Sequence, residues 1–95
     1  MAVMLLAHYG TTDVDRFLEA FDAFKEARAS AGASAAGLVR SLDDPLALVA
    51  LIEFATREAA EAFAASPARA RALQDAGVVE RRDEFLEVLR PIASA

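Results

Sequence analysis

An α+β domain in the order β-α-β-β-α-β is what this chain of 95 residues predicts, and three observations carry it. Two apolar, β-rich runs, residues 3–9 and 46–55, read as central strands. After the first of them Val14, Phe17, Leu18, Phe21 and Phe24 recur at three- and four-residue spacing, the stripe of an amphipathic helix. Asp43, Asp44 and Pro45 supply a tight turn that would join two strands as a hairpin.

Taken in order, the first strand is bounded by Gly10, and Thr12 with Asp15 three residues on resembles a capping box. The helix is expected over about residues 13–31, roughly 28 Å at 1.5 Å per residue. Asp15, Arg16, Glu19, Asp22 and Glu26 fall on its other faces, and Gly32 is a natural stop. Residues 35–42 follow as a second strand, then the turn, then the third strand. Thr56 caps a short helix whose inner side is Ala60, Phe63 and Ala64. Ser66 and Pro67 restart it, Ser as N-cap and Pro as first helical residue, and Gly77 ends that second piece. A last apolar segment, residues 85–89 with Glu84 and Glu87 interspersed, reads as an outer strand stopped by Pro91.

The common solution for this order is a single ferredoxin-like domain over residues 1–95, an antiparallel sheet in the order 4-1-3-2 with the helices on one face. Strands one and three are expected in the middle and parallel to each other. Their continuous apolar character implies that both faces are covered, one by the helices and one by a second copy of the sheet.

Hydrophobic residues make up 56% of the chain, which agrees with a self-association face. A net charge of -5 with scattered cations argues against nucleic acid as a partner. With no cysteine there is no thiolate nucleophile, no disulfide and no Cys-based metal site. One histidine and dispersed carboxylates give no spacing that converges on a metal ion, and no Gly-rich phosphate loop or nucleophile elbow is present. Residues 1–7 are apolar without a basic stretch, and no run approaches the ~20 apolar residues of a membrane span. A cytoplasmic protein without a membrane role is the expectation.

Each central strand is interrupted once near its end by an ionisable residue, His8 and Glu53. With the strands parallel, both would sit toward the same end of the sheet. In the hairpin, opposite partners place Glu53 against Ser34 or Ala35, and Arg40 against Leu48. That removes Arg40 as a partner for Glu53 and leaves His8, so the pair is a candidate general acid and base. Strand alternation sends Tyr9 to the face opposite His8, where it is a candidate for pocket contact. Arg40 is a candidate for binding an anionic group, or an exposed edge arginine. Phe17, Phe21, Phe24, Phe54 and Phe63 are most simply core, with Phe21 and Phe63 the candidates for a pocket wall. Arg82 and Asp83, brought toward His8 by pairing of strands four and one, read as a solvated rim. Arg69, Arg71, Arg81 and Arg82 read as solvated surface.

The strand ending in His8, the Asp13-Val14-Asp15-Arg16-Phe17 helix start, the Asp43-Asp44-Pro45 turn, the Leu51-Ile52-Glu53-Phe54 strand and the Glu58-to-Phe63 helix broken at Ser66-Pro67 together resemble the dimeric α+β-barrel superfamily. Within it the chain is similar to antibiotic-biosynthesis-monooxygenase-like proteins and small bacterial proteins labelled cyclase-like. The resemblance covers nearly the whole chain and implies a homodimer with a small-molecule pocket in each subunit, usually between sheet and helices. Activities it brings with it are cofactor-free oxygenation or cyclisation of polyketides, lactone isomerisation and haem degradation. The chain lacks the Asn and Trp of the haem-degrading branch, and the absence of Trp also departs from the quinone-forming monooxygenases.

The leading expectation is thus a homodimer that binds a hydrophobic, oxygenated small molecule and acts on it without a cofactor, His8 as acid or base and Glu53 orienting it. A non-catalytic ligand carrier or dimeric interaction module is the competing one. The face of the sheet that carries His8 and Glu53 separates them.

Overall fold

The structure is a computed structural model that describes residues 2–95. Its elements are β1 (Val3–Thr11), α1 (Val14–Ala23), α2 (Lys25–Ser30), β2 (Ala33–Arg40), β3 (Ala47–Phe54), α3 (Arg57–Ala64), α4 (Pro67–Asp75) and β4 (Val78–Glu87). The four strands form one sheet in the order β2-β3-β1-β4, the ferredoxin-like arrangement expected.

The expectation that bears most on function fails: β1 and β3 pair antiparallel, not parallel. The reason is topological. A crossover through α1 and α2 lays β2 parallel to β1, and the β2–β3 hairpin then reverses β3 between them. The hairpin register itself is the expected one, with Arg40 opposite Leu48 and Ala35 opposite Glu53.

Strand alternation sorts β1 cleanly. Val3, Leu5, Ala7, Tyr9 and Thr11 are buried toward the helices, while the residues between them are half-buried on the outer face. In β3, Leu48, Ala50, Ile52 and Phe54 do the same, and Phe17, Ala60, Phe63 and Ala76 from the helical layer complete the core. The continuous apolar runs are therefore two half-patterns superimposed: a closed core side, and an outer side of Met4, Leu6, Val49 and Leu51.

Local signals explain the helix ends. Asp13, rather than Thr12, caps α1 by accepting from the Arg16 amide at 3.1 Å, and the Thr12 hydroxyl donates to Gly77 O at 3.3 Å instead. The expected single helix over residues 13–31 breaks at Phe24, whose ψ of 3° ends α1 while its carbonyl starts α2 by accepting from the Arg28 amide. Thr56 and Ser66 cap α3 and α4, with Pro67 in the first turn of α4, as their sequences predict. Gly32 and Gly77 follow helices at φ of 99° and 84°, values that disfavour any residue with a Cβ. The hairpin loop is longer than the expected Asp43-Asp44-Pro45 turn. The Ser41 hydroxyl accepts from the Asp43 and Asp44 amides, and Asp44 Oδ1 accepts from the Leu46 amide. β4 begins seven residues before the expected start at residue 85, because the charged run 80–84 lies in the strand and alternates between its faces.

Candidate functional site

Antiparallel pairing separates His8 from Glu53. His8 lies opposite Val49, and Glu53 lies opposite Met4, four residues along β1 or roughly 13 Å at about 3.3 Å per residue. Both project from the outer face, at opposite ends. Glu53 Oε1 accepts from the Ser34 hydroxyl at 3.2 Å. His8 finds its carboxylate on the other side of β1: His8 Nε2 and Glu84 Oε1 are 3.0 Å apart, and Arg82 Nη1 donates to the same oxygen at 3.3 Å. This contact, with that of Arg82, holds the Glu84 carboxyl in an electropositive setting. The hydrogen bond to His8 is the chief reason its pKa lies below the usual carboxylate value, and Arg82 adds to it. His8, Arg40 and Arg82 line an open concavity of about 530 Å³ on the outer face. Glu53 belongs to a second one of about 480 Å³ that reaches Pro91 and Ile92.

The helix side of the sheet carries a different assembly. Tyr9, Phe17, Phe21, Phe24, Phe63 and Leu73 enclose a cavity of about 40 Å³ between β1 and the helices, closed also by Arg28 and Arg69. Aromatic rings build its walls in contact with one another: Tyr9 and Phe17 at 5.3 Å between centroids, Phe17 and Phe21 at 6.2 Å, Phe24 and Phe63 at 6.2 Å. Two of the pocket candidates from sequence, Phe21 and Phe63, thus stand in this wall, and so does Tyr9, on the face opposite His8 as alternation requires. A space of about 40 Å³ holds one or a few waters. An aromatic guest enters only if side chains such as Phe21 or Leu73 swing aside.

Arg69 organises the polar end of this cavity. Its side chain is 3% exposed, and it grips Asp83 with two hydrogen bonds, Nη2 to Oδ1 at 2.8 Å and Nη1 to Oδ2 at 3.0 Å. Nη1 also donates to Ala64 O at 3.0 Å, and Nη2 donates to the Tyr9 hydroxyl at 2.9 Å. Burial is the largest influence on Arg69 and pulls its pKa down, but Asp83 and Tyr9 outweigh it, so the group is held cationic. Burial raises the Tyr9 phenol above its ordinary value of 10.0, and the nearby Arg69 only partly opposes this. Arg28 donates from Nη1 to Phe21 O at 2.7 Å and stacks its guanidinium 3.8 Å from the Phe21 ring centroid, fixing the α1–α2 junction over the cavity.

The reading of Arg69 and Asp83 as solvated surface is therefore corrected. The signal for Arg69 lay in its spacing: Arg69, Leu73 and Ala76 recur every three or four residues, one stripe of α4, with Leu73 and Ala76 against the core. Asp83 stands opposite Ala7, a core-facing position, and so points at the helices once β4 includes it. Arg40, by contrast, is exposed at the end of β2, as its edge position allowed. Among the described residues no three His, Asp or Glu side chains converge as metal ligands. No helix among them is long and apolar enough to cross a membrane.

A four-stranded ferredoxin-like sheet with its helices on one face defines an α+β class of proteins. The chain belongs to the antibiotic biosynthesis monooxygenase family, which it matches over residues 11–75. No curated protein matches its sequence. Among solved structures it is similar to SnoaB, a cofactor-independent oxygenase from Streptomyces nogalater, with 15% identity over 98% of both chains and a TM-score of 0.77. It is also similar to a dimeric ferredoxin-like protein of unknown function from Jannaschia sp. CCS1, with 18% identity over 93% of this chain and 100% of that one and a TM-score of 0.70. A conserved protein from Methanosarcina mazei Go1 shares 16% identity over 90% and 91% of the two chains, with a TM-score of 0.72. At these identities the likeness shows the fold alone.

Proposed function

We propose that this chain works as a homodimer, closed over the outer sheet face, that takes a hydrophobic, oxygen-bearing aromatic molecule into the helix-side cavity and acts on it without a cofactor, as the family name suggests. The observation that carries the reading is the cavity itself, aromatic on most sides with Tyr9 and Arg69 meeting at one end. A few convergent polar groups in an apolar hollow are what a small-molecule site needs. Support for the dimer comes from the outer face and its edges, where Val39, Leu46 and Leu86 are 55%, 45% and 40% exposed, and from the Jannaschia protein described as dimeric.

His8 does not reach this cavity, so acid–base chemistry there does not run through it. Nor does Asp83 offer a free base, since both of its oxygens accept from Arg69. That last observation favours a second reading, a ligand carrier that binds without turnover. Tyr9 is the single tyrosine and the chain has no tryptophan, so tyrosine fluorescence reports the cavity directly. Titration with an anthrone in air, following Tyr9 emission and dissolved oxygen together, separates the readings. Ala72 on α4 also lines the cavity, and oxygen uptake above the buffer rate that Ala72→Phe suppresses by filling it supports the enzyme. A fluorescence response without uptake supports the carrier, and no response of Tyr9 sinks both.

A further inference from the structure

The helix-side cavity of about 40 Å³ is too small for an aromatic molecule, so part of its wall must yield before one enters. A groove of about 370 Å³ lies open on the surface where α1 and α2 meet the edge strand β2. Phe21 and Arg28 alone, among the described residues, line both spaces. They are the partition between them. Joined through that partition, cavity and groove reach the ~300–1,000 Å³ typical of small-molecule sites, which the cavity alone does not.

This part of the wall is held less firmly than the rest. Arg69 makes four hydrogen bonds, two of them to a carboxylate. Arg28 is also buried, at 6% exposure, yet it forms no ion pair among the described residues. One hydrogen bond holds it, Nη1 to Phe21 O at 2.7 Å, together with its stack on the Phe21 ring. The helix break at Phe24 makes that bond possible, because the Phe21 carbonyl at the end of α1 otherwise receives the Phe24 amide at 3.3 Å. Burial pulls the Arg28 pKa below its ordinary value of 12.5, and the nearby Asp22 opposes this. Asp22 lines the groove. By turning outward the guanidinium gains water and a carboxylate and gives up one hydrogen bond and one stack. Gains and losses that oppose each other are what a two-position element requires.

We propose that Phe21 is the door of the cavity and Arg28 its latch: when Arg28 turns outward toward Asp22, the Phe21 ring swings aside and the cavity opens into the groove between α2 and β2. As a route for a guest this rests on the cavity being the binding site, whereas the opening itself does not. Arg69, with its four bonds, stays in place while the Arg28 end moves, so the polar end of the cavity is kept intact during entry.

Tyr9, the single tyrosine and buried in the cavity wall, reports the opening through quenching of its fluorescence by acrylamide, a measurement that needs no guest. Arg28→Met removes the charge and the hydrogen bond of the latch while keeping an apolar stem over Phe21. It should raise the bimolecular quenching constant about tenfold, the equivalent of one ordinary hydrogen bond. Ala29→Phe places a ring in the groove and none in the cavity, and should lower the constant below the wild-type value. A rise under about twofold in Arg28→Met, or no fall in Ala29→Phe, overturns the door. Urea unfolding of the same proteins gives their unfolded fractions, and quenching that rises in step with that fraction also overturns it, because Tyr9 is then reached by unfolding. Stopped-flow mixing with an anthrone follows entry itself: association should be faster in Arg28→Met and slower in Ala29→Phe. Absence of any Tyr9 response to the anthrone, with the quenching pattern as expected, sinks the cavity as a site and supports the opening.

Discussion

Removing Asp83 should damage the protein more than removing Arg69, although the two share one ion pair. Arg69 is 3% exposed at its side chain and Asp83 19%. In Asp83→Ala the guanidinium loses both carboxylate hydrogen bonds and is left charged where water does not reach. Stranding a buried charge costs about 3–5 kcal/mol. For a domain of this size a loss of about 3 kcal/mol lowers Tm by roughly 12–24 °C. In Arg69→Met the stranded partner is the carboxylate, which can turn to solvent, and methionine refills the apolar space beside Phe63 and Tyr9. The expected cost is about 1–2 kcal/mol, near the lower bound for an orphaned polar group. Thermal unfolding followed by circular dichroism, at neutral pH and one fixed protein concentration because assembly shifts Tm, measures both. A loss below about 1 kcal/mol in Asp83→Ala, or a larger loss in Arg69→Met, would refute the claim that Arg69 is the buried member whose charge needs the pair.

Titrating the Tyr9 phenol by its ultraviolet absorbance should give a pKa above 10.0; Asp83→Asn should lower it by removing a nearby negative charge, and Arg69→Met should raise it further. Because the folded state disfavours the phenolate, stability from this group is full below the unfolded value near 10.0 and is lost as pH rises through the folded one, a loss that Tyr9→Phe abolishes. The Glu84 carboxyl, held low chiefly by His8, contributes stability above its unfolded pKa of about 4.5 that disappears as pH falls through the folded value. His8→Ala should move the Glu84 carboxyl signal in an NMR titration back toward that unfolded value, and an unmoved midpoint contradicts the contact. Gly77→Ala should cost about 1–2 kcal/mol in urea unfolding, since φ is 84° and a Cβ would stand 2.8 Å from Thr12 Oγ1. Pairing it with Thr12→Ala should recover only part of the loss, because the backbone strain remains.

Most of the fold was legible because local rules and global packing agree in this chain. Ser66-Pro67, Thr56, Gly32 and Gly77 mark helix ends by mechanisms that need no tertiary information. The β2–β3 register followed from counting outward from one turn, and it placed Arg40 opposite Leu48 without knowledge of the rest of the sheet. Strand direction is different, because apolar patterning is the same read forwards or backwards. Only the crossover from β1 to β2, taken together with the hairpin, fixes the direction of β3, and overlooking that step joined His8 to Glu53. The charged run from Glu80 to Glu84 hid most of β4 for a related reason. A strand whose inward residue is itself a carboxylate, Asp83, shows no apolar alternation until its buried counter-ion on α4 is known.

Two consecutive residues on each of two neighbouring strands divide the chemistry of the molecule. On β1, His8 points outward and Tyr9 inward; on β4, Glu84 points outward and Asp83 inward. These two residues of each strand thus face opposite ways, and the pairs that form are His8 with Glu84 on the outer side and Tyr9 with Asp83, through Arg69, on the inner. Both partnerships follow from a single register, in which His8 lies opposite Arg82 and Ala7 opposite Asp83. A slip of one residue between these strands would exchange the faces, and in the direction that brings Arg82 opposite Ala7 it would set a second cation beside Arg69 in place of its counter-ion. Arg69 is therefore more than a wall of the cavity: the cost of burying its charge unpaired, about 3–5 kcal/mol, is also a penalty against the wrong pairing of β4. The same residue that positions Tyr9 selects the register that makes Tyr9 face the cavity.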